Sequence, residues 1–145
     1  MSVVKAFFDT NILIYLYGGG DPEKQAKAAE LFSSQTRSGR AVVSTQVVQE
    51  FYAVATRKLG MARDVAGRVV RALLNLPLVI IDADLLLAAL AMEERYRISF
   101  WDALIVSAAE AAGAQVLYTE DLNDGQQYGQ VTVRNPFRHA VTRQA

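Results

Sequence analysis

The sequence predicts an α/β domain in which a mainly parallel sheet of about five strands is covered by helices on both faces. Three observations carry that expectation. The runs VVKAFF, AVVS, LVIID and QVLYT are short and nearly continuous in apolar character, as strands buried on both faces read. Helix-length segments separate most of them. The chain has 145 residues, 52% of them hydrophobic, enough to bury a core without staples. No internal repeat, low-complexity tract or linker divides it, so one domain spanning residues 1–145 is expected.

The elements follow in order. VVKAFF (3–8) is a first strand that stops at Asp9-Thr10-Asn11, and ILIYLYGGG is a short helix ended by glycines. Asp21-Pro22 opens the next helix, with Asp as N-cap and Pro in the first turn, and that helix stops near Gly39. AVVS (41–44) is a second strand and TQVVQEFYAVATRKLG a helix ending at Gly60. Another helix fills 62–75 until Pro77 breaks it, and LVIID (78–82) is the third strand. ADLLLAALAMEERYR and SFWDALIVSAAEAAG are helices, the second ending at Gly113. QVLYT (115–119) and VTV (131–133) are the fourth and fifth strands.

Composition excludes several kinds of chemistry. There is no Cys, which removes disulfides, thiolate metal sites and a cysteine nucleophile together. His139 is the single histidine and stands near the C-terminus, which argues against a Ser-His-Asp triad or a His-rich metal site. Gly18-Gly19-Gly20 lacks the spacing of a phosphate loop or dinucleotide fingerprint and reads as a turn. Fifteen basic and 15 acidic side chains cancel, so no overall field points to a polyanion. Two basic clusters, Arg57, Lys58, Arg63, Arg68 and Arg71, then Arg134, Arg138, His139 and Arg143, read first as solvated faces. Lys5 interrupts any signal-peptide core and no apolar run would span a bilayer, so a cytoplasmic protein without membrane association is expected.

In sheets of this kind ligands collect beyond the carboxyl ends of the strands, which makes the position of each acid informative. Asp9 closes the first strand, Glu50 lies early in the helix after the second, Asp102 is in the first turn of its helix, and Asp121 and Asp124 follow the fourth strand. Each also has a structural reading. Asp9 suits a helix cap, Asp21 and Asp84 are assigned to capping, and Asp82, a rival candidate that closes the third strand, also stands where a loop leads into a helix and reads first as a cap. At about 100° per residue Glu50 falls on the shoulder of a core stripe beside Val47 and Val54, with Arg57 nearly in line two turns later. Asp102 sits in the apolar run SFWDALIV, where Ser99-x-x-Asp102 matches a capping box. A cap offers that carboxylate a hydrogen bond and does not cancel its charge, so a shared cation is a second reading. TEDLNDG (119–125) reads as a solvated turn or as a source of carboxylates. An Asp/Glu oxygen set selects hard cations, Mg²⁺ or Mn²⁺, and converging carboxylates holding such ions suit phosphodiester hydrolysis.

The ordered set resembles the PIN-domain ribonucleases, and within them the VapC-type toxins of bacterial toxin–antitoxin pairs. The likeness rests on Asp9-Thr10-Asn11 after a first strand, Glu50 in the helix after the second, Asp102 in SFWDALIVSAA, LYTEDLNDGQ after the fourth, and the closing VRNPF. It implies a metal-dependent endoribonuclease using Mg²⁺ or Mn²⁺, with Asp9, Glu50 and Asp102 as acidic site residues and Asn11 and Thr119 as polar support. Family spacing leaves Asp121 and Asp124 as candidates for the fourth acid, with Asp121 closer to the strand end. The metal set is then Asp9, Asp102, Asp121 and Glu50; separately from the resemblance, the helical alignment of Arg57 with Glu50 makes it a candidate phosphate contact. The resemblance also implies an RNA substrate, a small antitoxin occupying the site and a homodimer. The alternatives are a catalytically silent RNA- or protein-binding module, a solitary nuclease without antitoxin, and a nuclease acting on DNA.

Overall fold

The computed structural model describes residues 4–138, so His139 and Arg143 of the second basic cluster lie outside the described residues. Its elements are β1 (Ala6–Phe8), α1 (Thr10–Leu16), α2 (Pro22–Arg37), β2 (Ala41–Ser44), α3 (Thr45–Arg57), α4 (Arg63–Leu73), β3 (Leu78–Val79), α5 (Ala83–Tyr96), α6 (Phe100–Ala111), β4 (Val116–Tyr118), β5 (Gln127–Tyr128) and β6 (Val131–Arg134). They form the expected α/β architecture with a mainly parallel sheet, in the order β3-β2-β1-β4-β6-β5. All neighbouring pairs are parallel except β5 with β6.

Burial explains why the apolar runs became strands. Every residue of β1 and β2 is buried, which is the demand a parallel sheet makes when both faces are covered. Phe7, Phe8, Val43 and Leu117 are fully enclosed, together with Ile12, Leu13, Val47, Phe51 and Val106 from the helices. Each such side chain stabilises the fold by about 1.5–3 kcal/mol relative to exposure. α1 packs on α2 and α3, and α3 on α4; α5 and α6 pack on each other, with α6 against β2, β4 and β6.

Several boundaries and one strand differ from the sequence reading. The third strand is only Leu78–Val79, because Asp82 is already the N-cap of α5, its Oδ1 accepting from the Leu85 amide at 2.9 Å. Asp84 is therefore not a cap; it stands in the first turn of α5, where its charge favours the helix dipole. Asp21 caps α2 through the Glu23 amide, as read. The added strand, β5, forms an antiparallel pair with β6 on either side of Gly129 and Gln130. Gly129 has φ of 59°, a left-handed conformation that favours glycine, and a Cβ there would push aside the flexible end of the Glu110 side chain.

The topology locates a crevice. From β1 the chain steps outward through β2 to β3, then returns to place β4 on the other side of β1. Ligands bind where the strand order reverses in this way, beyond the carboxyl ends of the adjoining strands. Register then does the fine placement. Phe8 pairs with Tyr118, so the next residues, Asp9 and Thr119, emerge side by side. The Asp9 amide donates to Tyr118 O at 3.0 Å, and the Thr119 amide donates to Arg134 O at 3.2 Å.

Candidate active site

A cleft of about 440 Å³ opens at this point. Asp9, Asn11, Glu50, Asp102 and Asp121 line it, together with Thr10, Gln46 and Trp101. Four carboxylates from separate parts of the chain thus share one hollow.

Asp9 is the innermost, only 4% exposed. It is the N-cap of α1, Oδ1 accepting from the Thr10 amide at 2.7 Å, while Oδ2 accepts from the Thr119 hydroxyl at 2.7 Å. Asp9 thus caps α1 and at the same time lines the cleft. Burial raises its pKa from 3.8 to about 7, the Thr119 and Thr10 hydrogen bonds oppose the rise, and the charges of Asp121 and Glu50 add to it. Thr119 is fully buried and does not line the cleft; it works from behind. Besides donating to Asp9, its Oγ1 accepts from Asn11 Nδ2 at 3.4 Å and from the Asp121 amide at 3.1 Å.

Glu50 reaches the cleft from the second turn of α3. Its Oε1 accepts from the Thr10 hydroxyl at 2.6 Å and its Oε2 from Gln46 Nε2 at 3.3 Å. Thr10 and Gln46 were not legible as site residues. Thr10 has a weak signal in its place within the Asp-Thr-Asn triplet after β1, whereas Gln46, one turn before Glu50 on α3, has none beyond helical spacing.

Asp102 is half-buried in the first turn of α6, where the Ser99 hydroxyl accepts from the Asp102 amide at 3.0 Å. Burial raises its pKa, a Ser99 side-chain hydrogen bond lowers it, and the charges of Asp121 and Glu50 raise it further. Burial does not follow the apolar run SFWDALIV throughout: the buried stretch is Ala103–Ala109, and Trp101 is 63% exposed.

The loop after β4 separates its two aspartates. Asp121 lines the cleft, and Asp124 does not: its Oδ1 accepts from the Asn135 amide at 2.8 Å and ties the loop to the end of β6. Next to Asp121, Glu120 is held by Lys24 Nζ at 2.9 Å and by the Tyr15 hydroxyl, which fastens the loop to α1 and α2. Arg57 also lies outside the cleft. It lines an adjoining hollow with Tyr52, Thr56 and Arg63, and Ala53 borders both.

The donor set suits a hard divalent cation. It is made of oxygens, and Asn11 adds a buried Oδ1 that has no hydrogen-bond partner. Among the described residues no three acidic side chains close around one point. Mg²⁺ does not need that, since it keeps several waters and takes one or two carboxylates with substrate phosphate.

Parallel strands, flanking helices and an acidic cleft at the switch point place the chain among doubly wound α/β domains with a candidate site at the carboxyl edge of the sheet. Comparison with known proteins narrows the class. The family model for the PIN domain matches residues 6–124, and the chain belongs to the PIN-domain family. Its fold is that of the VapC toxins. A toxin–antitoxin complex from Klebsiella pneumoniae contains a chain 23% identical, with a TM-score of 0.68 over 91% of this chain and 98% of that one. Mycobacterium tuberculosis VapC20, a sarcin-ricin loop cleaving toxin, is 23% identical with a TM-score of 0.67, covering 88% of this chain and 99% of that one. DNA-bound VapBC from Salmonella typhimurium gives 18% identity and a TM-score of 0.67, covering 92% and 99%. No curated protein sequence matches the chain. No helix among the described residues is long and apolar enough to cross a membrane.

Proposed function

We propose that the chain is a metal-dependent endoribonuclease, the toxin of a toxin–antitoxin pair, acting as a single domain in the cytoplasm. The observation that carries this reading is the convergence of Asp9, Glu50, Asp102 and Asp121 on one cleft at the switch point of a PIN-domain sheet. Such a set suits phosphodiester hydrolysis, where charge must be balanced on the reacting phosphate and a proton removed from water.

Asp9, Asp102 and Asp121 would hold Mg²⁺ or Mn²⁺. When bound, such a cation supplies Lewis acidity to a phosphoryl oxygen and eases the deprotonation of water. Glu50 accepts the proton of the attacking water, its carboxylate oriented by the Thr10 hydroxyl and the Gln46 amide. Thr119 keeps Asp9 pointed at the cleft, and Asn11 presents its free oxygen beside it. Asp124 belongs to the scaffold of the loop in this reading.

The solved relatives that are toxin–antitoxin complexes support a protein partner that blocks the cleft. A homodimer is supported by α5, which leaves Leu86, Leu87 and Leu90 exposed.

The test is cleavage of structured RNA and of DNA, side by side, by purified protein with Mn²⁺ and with chelator. Cleavage of RNA that needs the ion and is lost in Asp9→Asn is expected. No ion-dependent cleavage of any RNA would shift the reading to a silent binding module, and equal attack on DNA would make it a general nuclease. An adjacent reading frame for a small DNA-binding protein would support the pair; its absence would favour a solitary nuclease.

A further inference from the structure

Trp101 is the one tryptophan of the chain and stands directly before Asp102 in the first turn of α6. Tryptophan carries the largest apolar surface of any side chain and is seldom left bare, yet 63% of this residue is exposed. The exposure is not that of a helix turned to open solvent. The residue lines the same cleft as Asp9, Glu50, Asp102 and Asp121.

Two contacts set its position. Phe100 meets the indole edge-on, with ring centroids 5.5 Å apart and planes at 73°. The Trp101 carbonyl accepts from Gln46 Nε2 at 3.4 Å, and the same nitrogen reaches Glu50 Oε2 at 3.3 Å. Both partners only accept, so the nitrogen must face them, and Gln46 Oε1 is left buried without a partner. The rim that carries Trp101 is thereby tied across the cleft to α3 at the cost of one unsatisfied acceptor.

We infer that the Trp101 indole is a stacking platform for one unpaired nucleobase of the substrate, beside the phosphodiester held at the acids. This rests on the ribonuclease reading of the cleft. A phosphodiester there carries a ribose and base on each side, which brings a base to the rim. The residues lining the cleft include no Lys or Arg, so attraction to the backbone is weak at this point and another source of affinity is needed. Stacking on an aromatic face supplies it for any base, and only for a base whose own face is uncovered. The site therefore selects loops, single strands or flipped nucleotides over duplex.

The lone tryptophan makes the test direct. An Asp9→Asn chain, used to prevent turnover, is titrated in Mg²⁺ with a single-stranded oligoadenylate of about ten nucleotides and with an RNA duplex of equal length. Indole fluorescence should be quenched by the single strand and not by the duplex. In anisotropy measurements with the labelled single strand, adding Trp101→Ala should weaken binding roughly ten-fold or more, and Trp101→Phe should restore most of it. Equal affinity for the Ala variant, with unchanged circular dichroism, overturns the inference, as does equal quenching by duplex. If the wild-type chain cleaves RNA with Mn²⁺ while Trp101→Ala binds and cleaves normally, the stacking role alone falls. Absence of cleavage by the wild-type chain removes the ribonuclease reading instead. Fluorescence that answers a protein partner and no RNA overturns the stacking role and assigns the indole to that partner.

Discussion

The Thr119 hydroxyl donates to Asp9 Oδ2 at 2.7 Å, joining residues 110 positions apart in the chain at the innermost point of the cleft. This one bond opposes the burial that pushes the Asp9 carboxyl up to about 7. Thr119→Val keeps the shape and removes the donor. We expect a loss of about 1–3 kcal/mol in stability at neutral pH, because a buried acceptor loses its partner, and a fall of at least ten-fold in ion-dependent cleavage. Chemical denaturation and a cleavage assay on the same preparation check both; wild-type activity in the variant would remove Thr119 from the site.

Asp9 also makes stability depend on pH. Its folded pKa, about 7, lies above its ordinary 3.8, so between these values the folded chain holds a proton that the unfolded chain releases. The contribution of Asp9 to stability is therefore greatest below about pH 4 and declines as pH rises towards 7. Asn carries no such charge. In chelator, Asp9→Asn should flatten the decline and be more stable than wild type at neutral pH by roughly 1–3 kcal/mol. Urea midpoints measured from about pH 5 to 8 decide it, and parallel curves for the two chains would contradict the assignment. Added Mg²⁺ should stabilise the wild-type chain more than the variant, which keeps Asp102 and Asp121.

Asp102→Asn should abolish cleavage with little loss of stability, or a small gain, since burial and the charges of Asp121 and Glu50 all disfavour its ionised form. The Ser99 cap to the Asp102 amide survives this substitution. Thermal unfolding beside a cleavage assay tests it. A variant that unfolds while its folded fraction stays active would mean that capping is the whole role of Asp102.

The two aspartates of the loop after β4 should part company. Asp121→Asn should impair cleavage and leave stability nearly unchanged, as the residue is exposed at the cleft. Asp124→Ala should do the reverse, losing about 1 kcal/mol as the Asn135 amide loses its acceptor. Cleavage that depends on Asp124 and not on Asp121 would reverse the assignment.

Arg57→Ala tests the reach of the substrate. Arg57 and Arg63 line a hollow that adjoins the cleft at Ala53, so a bound strand that extends there would contact them. Weaker RNA binding with a shallower salt slope, by roughly one unit per lost phosphate contact, is the expected result. An unchanged slope would show that the strand takes another path.

The architecture was legible because burial on both faces leaves a plain mark: β1 and β2 are apolar without alternation. β5 left none, since two residues between glycines carry no periodicity and their pairing depends on the neighbouring strand. The acids were legible through their places after strands, a consequence of the sheet's direction. Helical alignment did not bring Arg57 to the cleft, because two turns along α3 carry a side chain about 10 Å from Glu50. Thr10, Gln46 and the exposed face of Trp101 were hidden for a common reason. Their roles come from groups far away in the chain, and a local reading gives hydroxyl, amide and indole no address.

The long span between Asp9 and Thr119 also orders events in time. β1 gains its β4 neighbour only after most of the chain has been made. A growing chain released from the ribosome as far as α5 carries Asp9 and Glu50 without Asp102, Asp121 or the hydroxyl that steadies the first of them. The cleft is completed by the last third of the molecule, so a chain that stops before α6 lacks two of its four carboxylates.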